Sequence, residues 1–281
     1  MRNMLKALRN NLLVIYAVYI KEMKIWLRYP SWIFVFITLP YTLTGLFYGV
    51  GYAIAGNRAF DNFVKNTGAR NPVLYYLLGS TVLLLSVIII EDMGASIRSE
   101  QLRGTFELHY LSPANKLLLW SSYVLPHGTV SFIVIAATLA PPLIWETRTL
   151  DIVSVLWTIV LLFIGMLPLY GIGLITASLT IRFKEPWAII NIIKAFISVC
   201  SGFLYPLTVL PHWLQLVSKT IPTSYLAVLL RDILIFDRKL LLEDIRLTAL
   251  VITSLLYLAL GFGIYLRWEN YARKTGDLSK Y

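Results

Sequence analysis

The most informative spacing of charged residues lies in segment 91–116, between two long uncharged stretches. Glu100, Arg103 and Glu107 recur there at i, i+3 and i+7, so on a continuous helix they would share one face. That pattern suits docking on a cytosolic protein. A solvated turn beside a membrane is the alternative, and composition alone favours it.

The same segment carries residues that would shape such an element. Leu108 and Leu111 provide an apolar edge beside the charges. Gly104 lets another backbone approach closely, and Pro113 cannot continue a helix. We therefore predict a short amphipathic element here.

Other reactive patterns are absent from the sequence. It contains no G-x-x-x-x-G-K-[ST] phosphate loop, and His109, His127 and His212 are too scattered for metal-ligand spacing. We predict no catalytic residue and no metal site. Lone Cys200 lies in an apolar stretch and can form no intrachain disulfide.

Six stretches of at least 20 residues contain no Asp, Glu, Lys or Arg. A helix needs about 20 mostly apolar residues to cross a bilayer, whereas amphipathic surface helices carry charges on one face. Charged residues make up 14% of the chain, against about 25% in soluble domains. We therefore predict an all-α polytopic membrane protein. Its six spans are expected near 31–55, 72–90, 117–145, 152–181, 187–204 and 247–266, within one membrane domain, 1–281.

Residues 1–29 are predicted to form an amphipathic helix in the cytoplasmic interface, with a buried core helix as the alternative. Apolar residues recur at helical spacing, and Lys21, Lys24 and Arg28 share the opposite face. The short apolar stretch lacks a small-residue cleavage site, which argues against a cleaved signal peptide.

Segment 205–230 is predicted to be a re-entrant helical pair on the outer side. Pro206, Pro211 and Pro222 interrupt it too often for one crossing helix. Non-helical backbone at membrane depth survives only when it is buried in protein or faces water. An ordinary extracellular loop is the alternative.

The Lys and Arg distribution predicts that both termini are cytoplasmic. The inner segments would hold 15 basic residues and the outer ones nine. The net charge of +10 then suits anionic lipid headgroups better than nucleic acid. The inner segments are 1–28, 91–116, 182–186 and 267–281.

Three further charges lie at or near the predicted spans. Lys194 would sit about 10 Å inside the fifth span. It either contacts an anionic lipid or substrate headgroup or snorkels to the interface. Glu91 and Asp92 are interpreted as a solvated interfacial pair rather than as proton carriers.

Three motifs resemble those of type-2 ATP-binding-cassette (ABC) transporter permeases. E-Q-L-R-G-T-F-E at 100–107, followed by L-S-P at 111–113, is similar to the family's E-x-x-R-G-T-x-E … S-P signature. The opening E … L-R-Y-P, from Glu22 to Pro30, resembles E … L-R-x-P. S-G-x-x-x-P … L-P-x-W-L … x-P-x-x-Y … R is matched by segments 201–206, 210–214 and 221–225 with Arg231. The likeness covers nearly the whole chain, with Phe106 where Leu is commoner.

The resemblance implies a cytosolic ABC ATPase as partner and a second permease chain, in a homodimer or a heterodimer. This chain would bind no cofactor itself, while ATP and Mg would be bound by the ATPase. Segment 1–29 would be the connecting helix. Segment 98–113 would be a coupling helix, with Glu100, Arg103, Gly104, Thr105 and Glu107 as docking residues. Gly202, Pro206, Pro211, Pro222 and Arg231 would belong to the outer gate.

The expected function is export of an amphipathic compound, such as a drug, an antibiotic or a lipid, across the plasma membrane. Export of a polysaccharide or lipid-linked glycan is the alternative within the class. An ion-coupled transporter would need acids within its spans, and the six stretches hold none. An intramembrane enzyme would need paired carboxylates or metal ligands, to which only Glu91 and Asp92 come close.

Overall fold

The computed structural model describes residues 2–145, 151–180 and 187–275. Across these residues the chain is helical and has no strand, as the all-α prediction expects. The predicted inner segment 182–186 lies outside them. The described helices are α1 (Arg2–Arg28), α2 (Ser31–Ala55), α3 (Arg58–Thr67), α4 (Pro72–Leu102), α5 (Phe106–Leu111), α6 (Lys116–Ser121), α7 (Val124–Trp145), α8 (Ile152–Thr180), α9 (Trp187–Cys200), α10 (His212–Ser218), α11 (Pro222–Leu234) and α12 (Ile245–Thr275), with a 3-10 turn at Leu207–Val209.

Five helical stretches among the described residues are long and apolar enough to cross a membrane. They coincide with five of the six predicted spans. The predicted span at 187–204 corresponds to α9, whose 14 residues are fewer than the 20 or so that a straight crossing needs. The five stretches are Ser31–Ala55, Pro72–Leu102, Lys116–Trp145, Ile152–Leu179 and Ile245–Lys274.

Helix α4 forms the centre of the bundle. It contacts α2, α7, α8, α9 and α11, and its side chains Leu77, Ile89 and Met93 are fully buried. It begins with Pro72 in the first turn, where the side chain of Asn71 accepts a hydrogen bond from the backbone N–H of Leu74. It continues 12 residues beyond the predicted end of the second span at residue 90, because no proline follows until Pro113.

Helices α8 and α12 pack with their backbones in contact. A Cβ atom built on Gly261 would lie 2.4 Å from the carbonyl oxygen of Gly171. One built on Gly171 would lie 2.3 Å from the carbonyl oxygen of Tyr257. Only glycine leaves room for this approach, as is common where membrane helices cross closely.

Helix α2 is the least buried of the five candidate spans. Only 11% of its most apolar window is buried within the chain. No atom lies within 4 Å of a Cβ built on Gly45 or Gly49. The packing of α2 is therefore much looser than that of α4, α8 and α12.

The glycine contact between α8 and α12 makes a testable prediction. Gly261→Ala should force the helices apart and lower the free energy of unfolding by about 1–3 kcal/mol. Gly263→Ala on the same helix is the matched control, because no atom lies within 4 Å of its added Cβ. Thermal unfolding in detergent would measure both, and equal melting temperatures for the two variants would contradict the packing argument.

Candidate functional site

The segment predicted to be one coupling helix, 98–113, is divided between two helices. Helix α4 ends at Leu102 and α5 begins at Phe106. Gly104 between them has a φ of 71°, a left-handed conformation that ends helices and that glycine adopts without strain. The prediction that Glu100, Arg103 and Glu107 share one helical face is therefore wrong. Glu100 lies inside the protein, while Glu107 lies outside.

Glu100 is the centre of a buried polar network that joins four parts of the chain. Its side chain is 2% exposed. We call this set of contacts the Glu100 network. The carboxylate accepts hydrogen bonds from Lys21 Nζ (2.8 Å), Arg103 Nη1 (2.9 Å), Thr105 Oγ1 (2.5 Å) and Tyr123 OH (3.2 Å), and it lies 2.9 Å from His109 Nε2.

The network offsets the free-energy cost of burying the Glu100 carboxylate. Removing a carboxylate from water costs several kcal/mol unless charged and hydrogen-bonding partners replace the water. Lys21 and Arg103 supply positive charge, and Tyr123 lies between α6 and α7. The single carboxylate therefore holds α1, α5 and the α6–α7 junction against the end of α4.

The burial of Glu100 could have been found from the sequence. Residues 93, 97 and 100 follow the i, i+4, i+7 spacing of one helical face. Met93 and Ile97 are fully buried on α4. Extending that buried face beyond residue 90 leads directly to Glu100.

Lys21 differs from its predicted place on the polar face of α1. Its ammonium donates hydrogen bonds to Glu100 and to the Tyr123 hydroxyl (2.7 Å), and lies 3.1 Å from Glu22. Nothing near Lys21 in the sequence points to an acid 79 residues later. Lys21 was predicted to lie on the solvent-exposed face of α1, but it instead binds α1 to the bundle.

Helix α5 has one buried and one exposed side. Phe106 is 4% exposed and packs on Tyr110, with ring centroids 4.8 Å apart. Burial raises the pKa of Tyr110 to about 12. On the other side Leu108 and Leu111 are 64% and 81% exposed. Together with exposed Glu107 they form what we call the α5 outer face.

Lys116 fixes the far end of α5. Its ammonium donates hydrogen bonds to the carbonyl oxygens of His109 (2.7 Å) and Ser112 (2.5 Å). Helices leave their last carbonyl groups without internal partners, and a lysine there satisfies them. Glu100 at one end and Lys116 at the other hold the α5 outer face in a fixed position.

Two of the predicted outer residues meet in space. Arg231, 5% exposed on α11, donates hydrogen bonds to the carbonyl oxygens of Gly202 (2.9 Å) and Phe203. Its guanidinium carbon lies 3.9 Å from the ring centroid of Tyr75, a cation–π contact. Gly202 has a φ of 64°, which its position in the turn after α9 requires.

The three predicted prolines stand at starts of short elements rather than in one crossing helix. Pro206 precedes the 3-10 turn, Pro211 precedes α10, and Pro222 is the first residue of α11. Proline suits such positions because its missing N–H would be unpaired there. Segment 205–230 is therefore a series of short helices joined by turns.

The charges near the spans form ion pairs between helices. Lys194 on α9 donates a hydrogen bond of 2.5 Å to Glu91 on α4, so the chain itself compensates its charge. Asp92 lies 3.0 Å from His127 Nδ1 on α7. Glu91 and Asp92, interpreted as a solvated interfacial pair, are 41% and 28% exposed, and in addition each forms an ion pair with a residue of another helix.

Two substitutions distinguish the structural role of the Glu100 network from the role of the α5 outer face. Glu100→Gln should lower the free energy of unfolding by about 2–3 kcal/mol. This is less than the effect of breaking a fully buried pair, because Lys21 and Arg103 are partly exposed. Glu107→Gln is the matched control and should leave stability unchanged. Unfolding in a denaturing detergent measures both, and an unaffected Glu100→Gln protein would refute the network's structural role.

The comparison with known families covers the elements just described. The family model of the ABC-2 type transporter matches residues 14–235, from within α1 to the end of α11. No curated protein matches the chain. The matched region is well over half of the 281 residues and includes both the Glu100 network and the Arg231 contacts. The chain therefore belongs to the ABC-2 type transporter family.

Proposed function

We propose that the chain is the permease subunit of an ATP-driven exporter whose motor is a separate cytosolic ATPase. Family membership supports an ABC transporter permease. The observation that carries the coupling is the α5 outer face, where an acid and two leucines point away from the protein while Phe106 anchors the helix. Exposed leucines in a short polar connection are characteristic of a protein-binding surface.

Coupling would pass from this face through the Glu100 network. Closure of the ATPase subunits around ATP and Mg supplies the force. A push on α5 reaches α4 through Glu100, α1 through Lys21 and the α6–α7 junction through Tyr123. Helix α4 has 31 residues, which gives a length of about 46 Å. Its displacement would thus tilt the packed spans as a rigid body.

The remaining architecture follows from the same proposal. Helix α1 would lie in the cytoplasmic interface, and both termini would face the cytoplasm. Helix α9 with the turn after it would serve as the fifth of the six spans. Segment 205–230 would be re-entrant and close the exit, with Arg231 holding the turn at Gly202. The membrane proposed for this arrangement is the plasma membrane.

A second permease chain would complete the pathway. Helix α2 supports this, since Phe34, Leu46 and Ile54 on it are 68%, 58% and 82% exposed. Such a surface is stable only against lipid or another protein. The cargo proposed is an amphipathic drug, antibiotic or lipid, because the helices that would form the walls of the pathway are strongly apolar.

Reversing the charge of the α5 outer face tests the docking role. Glu107→Lys should reduce co-purification of the cognate ATPase at least tenfold and abolish stimulation of ATP hydrolysis, because a like-charge or unpaired contact would replace a favourable one. Asp61→Lys on exposed α3 is the matched control. It should leave association unchanged.

Thermal stability separates docking from folding in this experiment. Glu107 is exposed, so Glu107→Lys should melt at the same temperature as the unmodified protein. A variant that keeps both its ATPase association and its transport would show that the α5 outer face is not the docking site.

A further inference from the structure

A cavity of about 490 Å³ opens among α1, α2, α4 and α7, apart from the α5 outer face. Sites for small molecules usually have volumes of about 300–1,000 Å³. One wall is a face of α4 that extends from Leu84 to Ser99. At 1.5 Å per residue this face is about 22 Å long, enough for an elongated molecule.

The α4 wall changes in polarity along its length. Leu84, Val87 and Ile88 line the first part, and Glu91 and Asp92 line the next. The positions recur every three or four residues, so they belong to one helical face. The cavity is therefore apolar towards one end and acidic towards the other.

The opposite wall is aromatic. The ring centroid of Phe36 lies 5.9 Å from that of Trp26 and 5.9 Å from that of Trp32. Trp26 also meets the His127 ring edge-on, with centroids 6.2 Å apart. Trp faces are the strongest aromatic partners for organic cations, and these three rings join the end of α1 to the start of α2.

Glu22 gives the cavity a carboxylate whose charge is only partly compensated. It is 6% exposed and lines the cavity, and among the described residues its Oε1 atom accepts no hydrogen bond. Lys21 Nζ lies 3.1 Å away, but its hydrogen bonds go to Glu100 and Tyr123. Because a buried charge is costly without full compensation, a ligand cation would be stabilised here.

The basic groups around the cavity are already engaged. Arg103 lines it but donates its hydrogen bond to Glu100. His127 lies against Asp92, and Lys194 is bound to Glu91. The same pairs compensate Glu91 and part of the charge of Asp92, so the argument rests on two lining carboxylate atoms, Glu22 Oε1 and Asp92 Oδ2, that accept no hydrogen bond among the described residues. A cation is favoured beside these two atoms even though the whole chain has a net charge of +10.

We propose that this cavity binds an amphipathic organic cation. Its charged group would lie beside Glu22 and Asp92, and its apolar part would lie along Leu84 and Ile88, facing the tryptophans. The idea that cargo passes through this cavity rests on the proposed transport function. The idea that the cavity binds an organic cation does not depend on that function.

Two ions of the same shape and opposite charge test the proposal. The full-length protein in phosphatidylcholine nanodiscs, without ATPase, is incubated with radiolabelled tetraphenylphosphonium or tetraphenylborate, and empty nanodiscs give the lipid background. We expect saturable binding of the phosphonium ion, at least tenfold tighter than any binding of the borate ion.

Substitutions locate the binding. Glu22→Gln should weaken phosphonium binding at least fivefold, whereas Asp61→Asn, the same carboxyl-to-amide change on exposed α3, should leave it unchanged. Ala95→Leu fills the α4 wall without altering charge and should also weaken binding. It keeps the test valid if Glu22→Gln fails to fold.

Equal affinities for the two ions, or unchanged binding in both cavity variants, would overturn the proposal. Because no ATPase is present, such a result refutes the cation site and leaves the docking experiment with Glu107→Lys to be judged on its own.

Discussion

The buried carboxylate of Glu100 is the constraint on which the end of the bundle where α4 meets α1 and α5 depends. A single anion with five polar partners can be buried only while all of the surrounding elements stay in place. Hydrogen bonds to a charged group are about twice as strong as neutral ones. Loss of any one partner leaves the carboxylate less compensated, so the positions of the elements that meet at Glu100 depend on one another. Under the proposed function, this dependence is what would carry force from α5 to α4.

Local patterns predicted five of the six expected spans, while the predicted span at 187–204 contains a helix of only 14 residues. An uncharged stretch of about 20 residues indicates by itself that the segment lies in an apolar environment. The observed bounds of α2 and α8 agree with the predicted spans within a residue or two. The helical breaks at the prolines of 205–230 also follow from single residues. The break at Gly104 was not predicted, because that glycine was interpreted as allowing close backbone approach within one coupling helix. Helix α4 continues 12 residues beyond the predicted end of the second span, because the charges that mark the end of an apolar stretch do not themselves break a helix.

The pairing of charges could not be predicted in this way. Lys21 and Glu100 are 79 residues apart, and Lys194 and Glu91 are 103 apart. Which helices become neighbours is decided by packing across the whole bundle, so neither partner's surroundings identify the other. For the same reason the cavity lined by Glu22 and Asp92 is invisible in the sequence, since its walls come from four separate helices.

The contact between Gly171 and Gly261 has a consequence for how the bundle can deform. Two helices whose main chains touch cannot slide or separate without losing many van der Waals contacts at once, so α8 and α12 form a stiff pair. Helix α2, by contrast, is attached mainly through side chains on one edge and is largely uncovered. Any widening of the bundle therefore costs least on the α2 side. The α8–α12 side of the bundle is therefore stiff, and the α2 side is the one that can move.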